Sequence, residues 1–474
     1  MRIKKYAAAF LAATTVLGSL AACGPKETSG DVTNTPTPGN NEPGQPEGTT
    51  TPTPTEVPAR DLGGFEVIIG DHWSPETPEP PKNAQEEATL AYRESIQKKY
   101  NFKVTQKAVA GWGDMTDTCT NSILAGDPVA QIFILDQGFV AKPMSNGLFY
   151  DLATLDELDF TEDKWNDSLI ELMTKGDSIY GMASGRPEAR GGLFWNKRMF
   201  EEAGIDPELP YELQASGEWT WSKFKDICGK LTRDTNGDGV TDVYAMANFG
   251  PDICKQFISS TGAQVVNYNK ETEKYENNSQ SQEVLDALNF LKELGDAGYE
   301  MPAPAEAQWD WFKQAFADGW FAMQFNETYM GGQMWKDMED DFGFVCCPKP
   351  DGYEGGYHTY YNDNVVIIPS CYDAETASKI AFVYNLWANP TPGYEEDDDW
   401  KSIYYPKMRD ERSVDDTIAK FYEDGVALTL NMALIYGLDT GALFYTYPFQ
   451  TMTPAEKIEE IQNSWNTAIN EANK

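Results

Sequence analysis

AGDPVAQIFILDQGFVAKPMSNGLFYDL, residues 125–152, is the stretch on which the fold turns. Gly126, Asp127 and Pro128 stop any helix that reaches them, because glycine accepts left-handed backbone and proline has no N–H to give. Ala130 to Leu135 then form a short apolar run between turn signals, which predicts a strand buried on both faces. Asp136 follows at once. In a parallel sheet ligands gather beyond the carboxyl ends of the strands, so a carboxylate in that place is a candidate ligand group.

The same grammar extends in both directions. Upstream, Phe65 to Ile69 predict a buried strand that runs into Gly70-Asp71-His72-Trp73. Asn83 with Glu86 three residues on predicts a capping box opening a helix to about Tyr100. Asn101 to Val109 predict a strand and Asp114 to Ala125 a helix, with Trp112 in the loop between them. Strand, helix, strand, helix, strand is the pattern of a parallel sheet with crossover helices. Downstream, Asn364 to Pro369 predict another strand, and Ala374 to Trp387 the helix after it.

The first 60 residues are a different material. Arg2, Lys4 and Lys5, an apolar run from Ala7 to Leu20 and small residues before Cys23 have the layout of a secretory signal, 1–22. Leu20-Ala21-Ala22-Cys23 resembles the lipobox of bacterial lipoproteins. The resemblance implies cleavage before Cys23 and a diacylglycerol on its thiol, hence a lipid-anchored chain on the extracytoplasmic face of the cell membrane. Residues 24–60 hold eight Pro and nine Thr with no aromatic residue. That composition cannot bury a core, and 23–60 is expected to act as a tether reaching at most about 115 Å.

Composition bounds the rest. The chain has 474 residues, too long for one ordinary domain and suited to two. Its formal charge of −38 argues against a nucleic-acid partner. Six cysteines follow Cys23, at 119, 228, 254, 346, 347 and 371, without metal or redox spacing, and they read as small buried residues. Only His72 and His358 are available for histidine chemistry, and there is no G-x-S-x-G, H-E-x-x-H, Walker A or dinucleotide fingerprint. A glycosidase needs only two carboxylates, so composition leaves that enzyme class open.

Residues 125–152 resemble the corresponding segment of the family 1 extracellular solute-binding proteins, the maltose-binding-protein-like receptors of ATP-binding-cassette (ABC) sugar importers. YGMASGRPEARGGLFWNKRMFEEAGI (180–205), EWTWSKFKDICGKLT (218–232), DGWFAMQFNETYMGGQM (318–334) and FGFVCCPKPDG (342–352) resemble further family segments, in family order. The resemblance spans about residues 65–470. It implies a two-lobed α/β, periplasmic-binding-protein-like fold with the ligand in a cleft between lobes joined by crossover strands. Lobe 1 would be 61–188 with 342–395, and lobe 2 would be 189–341 with 396–474. It also implies a carbohydrate ligand, no enzyme activity, ABC permease subunits as membrane partners, and a monomer.

DTNGDGVTD, residues 234–242, alternates oxygen ligands at Asp234, Asn236 and Asp238. Gly239 stands at the sharp turn, Val240 offers its carbonyl and Asp242 is ninth. These are the first nine positions of a calcium loop, with Ala245 where the bidentate Glu would stand. A structural Ca²⁺ is one reading and a polar double turn the other; no cofactor is required by either.

Sugar rings pack their C–H faces on flat aromatic rings and give their hydroxyls to carboxylates and amides. The candidate ligand residues are therefore Asp71, His72, Trp73, Trp112 and Asp136 from the first lobe. From the second they are Asn326, Glu327, Tyr329 and Trp335. Trp309, Phe312 and Phe316 share one helical face and are expected in the core, as are Trp219 and Trp221. A carbohydrate-binding receptor is the reading that results. The alternatives are a secreted glycoside hydrolase and a receptor for a non-sugar solute such as a peptide.

Overall fold

In the computed structural model, residues 60–395, 397–423 and 425–474 are described. The signal 1–22, Cys23 and the tether to residue 59 lie outside them. No helix among the described residues is long and apolar enough to cross a membrane.

The first sheet is the one the opening stretch predicts. Its strands are β1 (Phe65–Asp71), β2 (Phe102–Ala108) and β3 (Ile132–Leu135). Between them lie the helices α1 (Ala84–Tyr100) and α2 (Met115–Leu124). Both β2 and β3 run parallel to β1, and the order is completed by a later strand, Val365–Ile367, antiparallel to β3. Alternation sorts the side chains onto two faces: Val67, Ile69 and Ile132 enter one core, Phe133 and Leu135 the other. The Asn83 side chain accepts from the Glu86 amide at 2.8 Å, as predicted. Glu86 reaches back one residue further than a capping box requires, to the Lys82 amide. After β3, Asp136 caps α3 (Gln137–Ser145) by accepting from the Gly138 amide.

The second sheet is built from β4 (Gly191–Asn196), β5 (Tyr244–Met246), β6 (Phe321–Glu327) and β7 (Phe342–Val345), in the order β7-β4-β6-β5. All residues of β4 and β6 are buried, so both faces of each strand are covered. Gly192 is required by packing: a Cβ there would come within 2.3 Å of the Phe344 ring. Helix α4 (Gly250–Ser260) covers one face, through Phe257 against Phe325 at 5.0 Å. Strand β7, expected with lobe 1, instead hydrogen-bonds along β4. The sequence FGFV predicts a buried strand, but nothing local says which sheet it joins.

Chain passes between the two sheets are paired with one another. Ala189 bridges Tyr361, and Asn362 N–H donates to the Glu188 carbonyl at 3.1 Å. The strand Thr359–Tyr361 also pairs in parallel with Ala427–Thr429. Trp219 and Trp221 are core residues, as expected. All six described cysteines are free, five of them buried and Cys371 exposed.

Candidate functional site

The loop after β1 is organised by Asp71. Its carboxylate is fully buried and accepts from the amides of Trp73 (3.1 Å) and Ser74 (2.8 Å), the Ser74 hydroxyl (2.6 Å) and Gln106 Nε2 (2.8 Å). A carboxylate so occupied shapes the loop; the structure corrects its expected role as a direct ligand group. What it shapes is a row of rings. His72 lies 4.7 Å from Trp73 and 6.0 Å from Phe139, and Trp112 lies 5.2 Å from Phe139. Trp73 and Trp112 are 46% and 62% exposed, so each leaves a ring face to solvent. Burial lowers the His72 pKa, against the pull of Asp136 and Asp71, and its Nδ1 is buried without a hydrogen-bond partner.

The carboxyl end of β6 carries the second group. Glu327 is buried, with Asn362 Nδ2 donating to it at 2.8 Å and the Arg190 guanidinium forming a looser ion pair, Nη1 at 3.8 Å. Burial raises its pKa, and Lys255 and Arg190 restrain the rise. Lys255 comes from α4, pairs with Asp252 at 3.2 Å and lies 5.1 Å over the Tyr360 ring. Burial works against its charge, and Asp252, Glu327 and Asp136 outweigh it. Asp136 is thus within electrostatic reach of both His72 and Lys255, which links the strand ends of the two sheets. Asn326 spends its Oδ1 on the Glu327 amide, and its buried Nδ2 has no partner. Tyr329 is partly buried at the start of the short helix Tyr329–Gln333.

Trp335 does not belong with them. It is wholly buried, with Phe316 at 4.6 Å, Phe194 at 4.7 Å and its Nε1 on the Lys313 carbonyl at 2.9 Å. A ring packed on all sides has no face for a ligand, so this expectation is overturned. The opposite correction applies to Trp309. It precedes the helix Trp311–Ala317, is 66% exposed and leans on Phe249 at 5.8 Å. Tyr445, equally exposed, also meets Phe249, edge to face at 5.6 Å. Phe249 stands at the N-cap position of α4, one turn before Asp252. Sequence reading missed this ring group. Asp310 as a helix N-cap, which would leave Trp309 outside the helix, was the available signal. Nothing local marks Lys255, Arg190 and Asn362, which reach Glu327 from three distant segments.

The loop 234–242 is held by its own amides. Asp234 accepts from Gly237 at 2.6 Å and Gly239 at 2.7 Å, Asn236 from Asp238 at 2.9 Å, and Asp238 from Val240 at 2.8 Å. Asp242 accepts from the Thr235 amide at 2.7 Å and from Asn236 Nδ2 at 3.0 Å. Such bonds complete a double turn by themselves. Among the described residues no group of three or more His, Cys, Asp or Glu is placed to hold a metal ion.

His358 bridges Tyr353 and the Gly425 carbonyl. That is a packing role, remote from nucleophilic chemistry.

Two α/β sheets joined by paired chain passes define a two-lobed binding-protein fold, and the solved structures similar to this chain share it. An ABC substrate-binding protein, Lmo0181 from Listeria monocytogenes, in complex with cycloalternan, is 17% identical with a TM-score of 0.60, over 85% of this chain and 98% of that one. An ABC-transporter-associated binding protein from B. animalis subsp. lactis, in complex with beta-1,6-galactobiose, is 15% identical with a TM-score of 0.59, over 86% and 98%. The cyclic alpha-maltosyl-1,6-maltose binding protein of Arthrobacter globiformis is 16% identical with a TM-score of 0.56, over 87% and 98%. No curated protein matches the sequence. The family model for bacterial extracellular solute-binding proteins matches residues 91–394, and the chain belongs to that family. The family and these neighbours are binding proteins and not enzymes, and the family is extracellular.

Proposed function

We propose that this chain is a receptor that captures an oligosaccharide in the cleft between its lobes and delivers it to the permease subunits of an ABC importer. The lobes are those expected from the sequence, with β7 assigned to the second. Cys23 carries the lipid that holds the receptor at the membrane, and residues 24–60 keep it clear of the surface. The observation that carries the reading is the combination of exposed ring faces with buried and half-buried polar groups at the strand ends. Trp73, Trp112, Trp309 and Tyr445 offer flat apolar faces, while Asp136, Glu327 and Asn326 offer hydroxyl partners. Sugars need both, and neighbours of the same fold bind oligosaccharides. Closure of the lobes on the ligand shifts the population to the form the permease reads.

The test is a thermal-shift screen of the whole chain against neutral mono- and oligosaccharides, amino-acid mixtures and peptides. Calorimetry and recovery of the hit then follow. An oligosaccharide recovered intact supports the reading; a shift with peptides alone sinks it, and a cleaved sugar would make the protein an enzyme. Asp136→Ala should weaken the hit about ten- to hundredfold, the worth of one charge-assisted hydrogen bond. Cys23→Ser should leave uncut precursor or release the protein from membranes. We also propose calcium in the 234–242 loop: chelation should lower the melting temperature, calcium restore it, and Asp238→Ala abolish the dependence. A melt indifferent to both leaves only the double turn.

A further inference from the structure

Glu327 belongs to a closed circuit that the proposed function does not use. Arg190 Nε donates to Glu188 Oε2 at 2.7 Å, and Arg190 Nη1 lies 3.8 Å from Glu327 Oε2. Asn362 Nδ2 donates to the other Glu327 oxygen at 2.8 Å, and the Asn362 amide donates to the Glu188 carbonyl at 3.1 Å. The next residue, Asp363, accepts the Glu188 amide at 2.7 Å. It also accepts Asn166 Nδ2 at 3.0 Å, and Asn166 in turn caps the helix Asp167–Met173, whose Leu169 and Met173 lie in the core of the first sheet. The ring therefore joins both chain passes, 186–190 and 359–363, to the end of β6, and has one fixed attachment on the side of the first sheet.

Arg190, Glu327 and Asp363 are its inner members, with the Arg190 side chain keeping 15% of its exposure and the Glu327 side chain 8%, while the Glu188 side chain is 43% exposed. One guanidinium bonds Glu188, lies 3.8 Å from Glu327 and feels the charge of Asp363. A buried charge that loses its partner is costly, so the members of such a ring hold their geometry together or give way together. A bidentate-capable planar fork is suited to holding two carboxylates at a fixed angle, which a lysine is not.

We propose that Arg190 and Asp363 are positioning residues that couple the ligand to the hinge. Arg190 aims the Glu327 carboxylate, and through Glu188 and Asp363 it ties that carboxylate to both chain passes. A ligand that engages Glu327 then loads the passes directly, and closure and binding share one set of contacts. The ligand arm of this inference rests on the receptor reading; the mechanical arm does not.

Burial pushes the Asp363 carboxyl up to about 6, offset in part by the Glu188 amide, with the Glu188 charge raising it and Arg190 lowering it. Tyr422, from the C-terminal segment, also faces it. Protonation near pH 6 removes a negative charge that acts on Arg190 and sits on the acceptor of the Glu188 amide, and ligand affinity should fall as pH drops through that value.

The experiment uses the full chain, with the sugar found in the screen and with hydrogen exchange read on the ligand-free protein. Arg190→Gln should weaken the sugar at least tenfold and speed exchange at the amides of Glu188 and Asn362, and Arg190→Lys should restore part of both. Asp363→Asn, which keeps the acceptor oxygen, should fold normally and flatten the affinity profile near pH 6. Should Arg190→Gln fail to fold, Arg190→Lys and Asp363→Asn carry the same two readouts. Affinity within twofold of the parent, unchanged exchange and an unaltered pH profile in the folded variants would overturn the coupling. Altered exchange in a protein that binds no sugar would uphold the mechanical arm and sink the receptor reading together with the ligand arm.

Discussion

Trp335→Ala separates a core ring from a ligand ring. The side chain is fully buried, in contact with Phe194, Phe316 and Phe342, and its indole N–H satisfies the Lys313 carbonyl. Truncation removes the ring from three aromatic neighbours, leaves a cavity and strips the carbonyl of its donor. Buried Trp→Ala changes cost roughly 3–5 kcal/mol, and the orphaned carbonyl is included in that range. In a chain of this size the melting temperature should fall by about 3–6 °C. Thermal and urea unfolding followed by circular dichroism measure the two losses, with Trp335→Phe as the milder control, because most of the packing is kept and only the N–H bond is lost. Folded Trp335→Ala protein should still bind its solute near the parental affinity. A stability loss below about 1 kcal/mol together with a large loss of affinity would refute the packing argument and return Trp335 to the ligand.

Further outcomes follow from the same accounting. Trp309→Ala, at a ring 66% exposed, should change stability by less than about 0.5 kcal/mol while weakening an oligosaccharide measurably in calorimetry; unchanged binding would remove Trp309 from the site. Gln324 is buried on β6 with neither amide atom bonded, so Gln324→Met should stabilise by about 1–3 kcal/mol in urea, and a loss would point to a buried water serving the amide. Burial pushes the Glu300 carboxyl up to about 7, although the Tyr447 hydroxyl and the Asn248 amide donate to it. The native state therefore takes up this proton before the unfolded chain does, and Glu300 contributes more stability as pH falls from about 8 towards 5. Glu300→Gln should raise the melting temperature at pH 8 and flatten that slope; an unchanged slope would disprove the assignment.

The sequence alone determined what is local and periodic. The run from Ala130 to Leu135 reads as a strand covered on both faces, Asn83 as the cap of a helix, and the order of elements around them as a parallel sheet, and all three formed. The motifs that resemble solute-binding proteins did the same for the family. Tertiary structure decided where loop side chains end up, because a ring or carboxylate beyond a strand end obeys no period. Trp335 turned inward and Trp309 outward, and Asp71 was consumed by four donors that only folding brings to it. The ring of Glu188, Arg190, Glu327, Asn362 and Asp363 is the extreme case: its members are up to 175 positions apart along the chain. Their meeting depends on strand pairing between distant segments, which is fixed by the burial of whole sheets rather than by any residue's neighbours in the sequence.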